Sequence, residues 1–254
     1  MTLIYPYPPL KSGILIKRYK RFLADIELES GEIITAHCAN TGPMIGLHDP
    51  GSFVQVSRSN NPKRKLPYTW EMICVNAETQ PTWVGVNTAI PNRVIKLALE
   101  QKLLPELAQH YDTIRSEVPC GREKKSRIDF FLSDRATSTG YFLEVKSATW
   151  SQGNIALFPD TVTTRGQKHL RELMGVLGTT KAGILYFINR GDCDRFAPGD
   201  RRDRVYGELL REAIASGVEV FPYRFEITPQ GIYFRGLAEF VSYQPADSDP
   251  KSVI

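Results

Sequence analysis

The hydrophobic period of this chain changes once, near residue 87, and that change constrains the fold more than any other feature. Before it, apolar residues recur with a period near two. Ile14, Ile16, Phe22, Ala24, Ile26 and Leu28 mark long, roughly alternating stretches that end at a Ser30-Gly31 turn. Residues 32–37, 51–57, 68–77 and 83–86 read as further strands, separated by turn-rich segments at 40–43, 48–51 and 59–62. About five short strands in fewer than 90 residues suit a small barrel, of which the OB-fold is the commonest type that binds nucleic acid.

After residue 87 the period becomes helical. Val94, Leu97, Ala98, Leu99, Leu103 and Leu104 predict a helix over 91–109, with Pro91 at its start and Pro105 breaking or kinking it. Strands are expected at 113–118, 128–132 and 141–147. A second helix is expected over 164–177, where Leu170, Leu173, Met174 and Leu177 form one stripe. The unbroken apolar run 183–188 suits a strand covered on both faces. A third helix at 203–216 stops at Gly217, and a strand follows at 218–221. The expected fold class is therefore two-domain α+β and α/β. An OB-like β-barrel (1–86) precedes an α/β domain with a mixed central sheet flanked by helices (87–244), and 245–254 form a flexible tail.

Composition excludes several alternatives. With 254 residues, 42% of them hydrophobic and 24% charged, the chain has enough apolar surface for a sizeable core. No apolar run reaches the roughly 18 residues of a membrane span. The first residues lack the charged start and apolar stretch of a signal peptide, so no membrane association and a cytoplasmic location are expected. Cys38, Cys74, Cys120 and Cys193 form no CxxC pair, and the four histidines show no HExxH spacing, which argues against a zinc ribbon or a dithiol site.

Lys plus Arg number 32 against 28 acids, a net charge of +4 that is too small to identify a nucleic-acid binder. The distribution says more. Lys11, Lys17, Arg18, Lys20 and Arg21 form one acid-free cluster, and Arg58, Lys63, Arg64 and Lys65 form another. Tyr19, Phe22, Tyr68 and Trp70 lie in or near them. Cations beside aromatics on a barrel are what DNA or RNA binding uses, whereas the plain alternative is a solvated basic face. Arg122, Lys124, Lys125 and Arg127 extend the basic track toward residue 129. Arg165, Lys168 and Arg171 on the second helix are candidate phosphate contacts. Asn40, Thr41 and Asn87 are either nucleic-acid contacts or turn residues.

The chemistry-bearing stretch is Ser126-Arg127-Ile128-Asp129-Phe130 followed by Leu143-Glu144-Val145-Lys146-Ser147. A carboxylate flanked by apolar strand residues is costly unless it is paired or binds a cation. Glu144 and Lys146 share one strand face. If the two segments form a hairpin, Asp129 lies across from Glu144. Two carboxylates could then hold Mg²⁺ (or Mn²⁺), with the Val145 carbonyl as an extra ligand and Lys146 orienting or deprotonating a water. The competing reading is a same-face Glu144–Lys146 ion pair on an exposed strand. His169 is either an active-site group or a packing residue.

An acid on one strand before an ExK triplet on the next, after an initial helix, resembles the PD-(D/E)xK nuclease core. That resemblance implies a metal-assisting glutamate on the first helix, for which Glu100 is the candidate. A wider resemblance joins Lys20-Arg21-Phe22-Leu23-Ala24-Asp25, Ala36-His37-Cys38-Ala39-Asn40-Thr41-Gly42, Pro91-Asn92-Arg93, Phe158-Pro159-Asp160 and Lys168-His169-Leu170-Arg171-Glu172-Leu173. With these segments the chain resembles the sugar fermentation stimulation protein A family, over roughly residues 1–240. The resemblance implies an N-terminal OB-like domain, a PD-(D/E)xK nuclease-like C-terminal domain, and DNA as the partner, with RNA left open. The expected function is DNA binding with a Mg²⁺-dependent phosphodiesterase site. The alternative is a non-catalytic DNA-binding regulator of sugar metabolism.

Overall fold

The computed structural model describes residues 1–76, 80–108, 111–121, 126–135 and 139–241. In chain order, β1 (Thr2–Pro6), β2 (Leu10–Tyr19), β3 (Leu23–Leu28), β4 (Ile33–His37), β5 (Phe53–Arg58), β6 (Tyr68–Asn76) and β7 (Pro81–Gly85) precede α1 (Ile90–Glu100). Then come β8 (Thr113–Cys120), β9 (Ser126–Asp134), β10 (Thr139–Ala148), β11 (Trp150–Gln152) and β12 (Ile155–Phe158). These are followed by α2 (Thr164–Val176), β13 (Lys181–Ile188), β14 (Arg195–Pro198), α3 (Arg204–Ser216), β15 (Glu219–Thr228), β16 (Gly231–Leu237) and β17 (Glu239–Phe240). No helix among the described residues is long and apolar enough to cross a membrane.

The barrel forms as its alternation predicts. Strands run in the order β4-β3-β2-β5-β6-β7, and a parallel β4–β6 pairing closes five of them into a ring. Inward positions supply its core, including Leu15, Ile26, Val54, Val56 and Trp70, each fully buried.

The second unit is a seven-stranded mixed sheet of order β1-β16-β15-β13-β10-β9-β8. β10, β13 and β15 run parallel at its centre, with antiparallel strands outside them. β13 shows why residues 183–188 are apolar throughout. Leu185 and Phe187 face a core shared with α1, while Ile184, Tyr186 and Ile188 face a core built with α2 and α3. Gly217 ends α3 at φ +106°, a left-handed conformation that favours glycine.

Several expectations need correction. β1 lies within the stretch assigned to the barrel, yet it pairs with β16 at the edge of the large sheet. Alternation gives a strand's faces but not its partner. The first helix stops at Glu100 rather than continuing to 109, and Lys102 then takes a positive φ of 55°. Leu104 and Leu107 still reach the core from the following turns, which explains their helix-like spacing. The four-stranded sheet β11-β12-β14-β17 was not expected, because strands of two to four residues carry too little periodicity. Residues 122, 124, 125 and the tail 245–254 lie outside the described residues.

The seam between the two units is a core of its own. Ile4 of β1 and Met72 of β6 pack with Val94, Ile95 and Leu99 of α1 and with Leu143 of β10. Glu71 is 5% exposed beside this seam and accepts from Ser57 Oγ (2.6 Å) and Asn87 Nδ2 (2.8 Å). Gly85 N–H donates to Asn189 O (3.0 Å), tying β7 to the end of β13.

Candidate active site

β9 and β10 form the expected antiparallel hairpin, with ladder pairs running from Thr139–Asp134 to Leu143–Phe130. One step past the last pair, Asp129 and Glu144 meet. Here a side chain takes over from the ladder: Val145 N–H donates to Asp129 Oδ2 at 2.8 Å, and Asp129 N–H reaches Glu144 Oε2 at 3.4 Å. The other Asp129 oxygen accepts from Asn92 Nδ2 of α1 at 2.7 Å.

Glu144 and Lys146 lie opposite Ile184 and Tyr186 of β13, on the face covered by α2. Glu144 is 2% exposed, and its Oε1 lies 2.5 Å from Lys146 Nζ. His169, equally buried on the inner face of α2, meets the same Oε1 through Nδ1, and Lys146 Nζ is 3.2 Å from that nitrogen. The exposed-strand ion pair is therefore excluded as a description of this triplet, because pair and histidine are both enclosed.

The two acids respond differently. Burial pushes the Asp129 carboxyl up to about 6, and the Glu144 charge adds to the rise. Burial also acts to raise Glu144, but the Lys146 ammonium and His169 outweigh it and hold that carboxyl below its ordinary value.

Asp129, Glu144, Val145 and Lys146 line a cleft of about 440 Å³. Its walls come from both domains. Asn40, on the loop after β4, contributes from the barrel; Thr88 and Asn92 contribute from the entry to α1 and its first turn; Arg165 contributes from α2. A second cleft adjoins it, lined by Glu117, Ser126, Arg127, Thr164, Arg165, Lys168 and His169, so Arg165 faces both.

The remaining sequence candidates fall elsewhere. Glu100 sits on the outer surface of α1, 3.9 Å from Lys96, and does not line the cleft. α1 instead supplies Asn92. Lys17 pairs with Asp25 (3.5 Å), and Arg18 Nη2 donates to the carbonyls of Arg21, Asn40 and Gly42. Lys20 and Arg21 are exposed at the β2–β3 turn. Arg58 lies 6.0 Å over Tyr68, Arg64 donates to Thr69 Oγ1 (2.7 Å), and Lys63 and Lys65 are exposed. Sequence reasoning missed Asn92, Thr88 and Asp160 as cleft residues. A lone amide or hydroxyl near a helix start has no pattern that marks it. Asp160 followed a proline in a segment without clear periodicity, and burial raises its carboxyl.

The candidate ligands at the floor of the cleft are the carboxylates of Asp129 and Glu144, which are oxygen donors. Among the described residues no group of three or more His, Cys, Asp or Glu side chains is arranged to hold an ion. Such a site fits a hard divalent cation that keeps several waters and disfavours a soft metal that needs an all-protein cage.

Comparison with known proteins bears on this geometry. Residues 16–86 match the model of the SfsA N-terminal OB domain, and residues 89–231 match that of the sugar fermentation stimulation protein RE domain. The chain belongs to the sugar fermentation stimulation protein family. A homologue from Cyanothece sp. is 65% identical over 94% of this chain and 98% of its own length. One from Synechocystis sp. is 60% identical over 95% of this chain and its full length. Among solved structures, Pyrococcus furiosus SfsA in complex with Ca²⁺ superposes with a TM-score of 0.83 at 24% identity, covering 95% of this chain and all of its own. The two-domain architecture is thus that of the family, with an OB barrel preceding a mixed-sheet domain.

Proposed function

We propose that this protein binds DNA and hydrolyses phosphodiester bonds with a divalent cation. The observation that carries this reading is the meeting of Asp129, Glu144 and Lys146 at the floor of one cleft whose neighbour is lined by Arg127, Arg165 and Lys168. Mg²⁺ or Mn²⁺, held by the Asp129 and Glu144 carboxylates with the Val145 carbonyl, would supply charge neutralisation at the phosphate and a water of lowered pKa. The Ca²⁺ complex of the Pyrococcus furiosus protein supports a divalent ion of this class.

The protein's own groups have distinct tasks. Asn92 and the Val145 N–H fix both oxygens of Asp129. His169 and Lys146 fix Glu144. Lys146 presents a cation beside the acids, where it stabilises charge developing on a phosphoryl oxygen and orients the attacking water. Arg165 and Lys168 engage flanking phosphates. Four free cysteines suit a reducing cytoplasm.

The test is incubation of labelled DNA with Mg²⁺, Mn²⁺ or chelator. Metal-dependent cleavage that is lost in Asp129→Ala supports the reading, and intact DNA under every condition overturns it. One observation favours a second reading, a DNA-binding regulator without cleavage: Lys146 and His169 already satisfy Glu144 without a metal. That reading requires salt-sensitive binding that persists in chelator and in Glu144→Ala.

A further inference from the structure

We infer that the strand admitted to this site is single: the substrate is an unpaired DNA strand rather than an intact duplex. The inference rests on the phosphodiesterase reading for its chemistry, but the shape of the cleft carries it.

The reacting groups lie deep. The Glu144 side chain is 3% exposed and that of Lys146 13%. A phosphate can meet them only by descending between the barrel wall, with Asn40 and Thr88, and the α2 wall, with Arg165. In a duplex each phosphate sits on the convex outside of a stack of paired bases, so a duplex reaches the floor only if these walls part by its full width.

The barrel wall is tied in place. Arg18 Nη2 donates to Asn40 O at 3.0 Å and to Gly42 O at 2.8 Å. Thr88 Oγ1 donates across the domain boundary to Ala39 O at 3.1 Å. Asn40 Oδ1 accepts from Gly42 N–H at 2.9 Å, which fixes the side chain itself. The α2 wall is held by its N-cap: Thr163 Oγ1 accepts from Gly166 N–H (3.1 Å), and Asp203 of the α3 cap accepts from Thr163 N–H (2.8 Å).

Beside Asp129 and Glu144 the lining carries the neutral amides and hydroxyls Asn40, Thr88, Asn92, Ser147 and Thr149, and one further acid, Asp160, whose carboxyl is held above its ordinary value by burial. The amides and hydroxyls can pair with the exposed edges of a base, which in a duplex are occupied by its partner. In the adjoining cleft Arg165, Arg127 and Lys168 are exposed cations suited to the phosphates that follow, although Glu117 shares the lining and Lys168 lies 3.7 Å from Glu172. A volume of about 440 Å³ accommodates one nucleotide.

The experiment uses the full chain with Ca²⁺ for binding and Mn²⁺ for cleavage. A fluorescent 20-nucleotide strand is compared with the same strand in a blunt duplex by anisotropy and by gel. The single strand is expected to bind about tenfold or more tightly than the duplex, and to be cut in preference. Asn40→Asp keeps the acceptor for Gly42 N–H but brings a negative charge to the base pocket. It is expected to weaken strand binding about tenfold and to leave duplex binding within about twofold, whereas Arg165→Ala, which removes a phosphate contact, should weaken both and leave their ratio within about twofold. Equal or tighter duplex binding, or a strand-to-duplex ratio unchanged by Asn40→Asp, overturns the inference. Strand preference without cleavage in any metal keeps the inference and defeats the catalytic reading. Equal cleavage of both substrates does the reverse.

Discussion

Asp129 and Glu144 share one cleft but are driven in opposite directions, and the difference is measurable. For Asp129, raised from 3.8 to about 6, the folded chain holds a proton across that window that the unfolded chain releases. Metal-free stability from this group therefore declines as pH rises from about 4 to about 6. A divalent cation needs the ionised carboxylate, so the rise in Tm caused by millimolar Ca²⁺ should be full at pH 7.5 and largely lost at pH 5. A thermal shift independent of pH would contradict this ligand assignment. Asp129→Ala should lower metal-dependent cleavage by about 100-fold or more, measured as single-turnover rate, since the remaining carboxylate holds an ion weakly. These residues were legible because acids interrupt an apolar strand pattern where an unpaired charge is costly. Asn92 was not legible, and Asn40 was legible only as either a nucleic-acid contact or a turn residue. They reach the site through packing between elements distant in sequence, and an amide in a turn has ordinary uses. Glu100 was expected from the resemblance, but Val94, Ile95, Ala98 and Leu99 take the buried face of α1 and leave it outside.

At the level of elements, α2 matters most because it brings His169 and Arg165 to the site, and α2 is itself anchored by one carboxylate. Asp203 is 4% exposed. It caps α3 through Tyr206 N–H (3.0 Å) and accepts from Thr163 N–H and Gln167 Nε2 at the start of α2. Asp203→Ala removes a cap and strands buried donors, so a loss of about 2–4 kcal/mol is expected in urea unfolding. A loss below about 1 kcal/mol would show that water replaces the carboxylate. The three helices were legible from their apolar stripes, and the stop at Gly217 from its residue type. The small sheet β11-β12-β14-β17 was not, because its strands are two to four residues long, and β14 and β17 are held by partners distant in sequence rather than by their own pattern.

Across the whole molecule, the change of hydrophobic period marks where the helices begin, but β1 crosses that division into the large sheet, and the pattern hid how the two units join. Ile4 and Met72 bury themselves with α1 and the large sheet, so the two units share a core. Calorimetry should show one unfolding transition, and Met72→Ala should lower its midpoint as a loss of about 2–4 kcal/mol. Two resolved transitions, only one of them moved by the substitution, would show independent units. The destination of β1 adds a consequence for biosynthesis. Its hydrogen-bonding partner, β16, begins at Gly231, so β1 waits for its place until the rest of the large sheet has been made. While the ribosome is still making the second domain, the barrel ring from β2 to β6 has all its strands, whereas the edge of the large sheet cannot be closed. Sealing that edge joins Pro6 to Gly231 across the intervening chain, a loop closure of large entropic penalty, and belongs late in folding. The emerging chain thus carries β1 without its partner until β16 has been made.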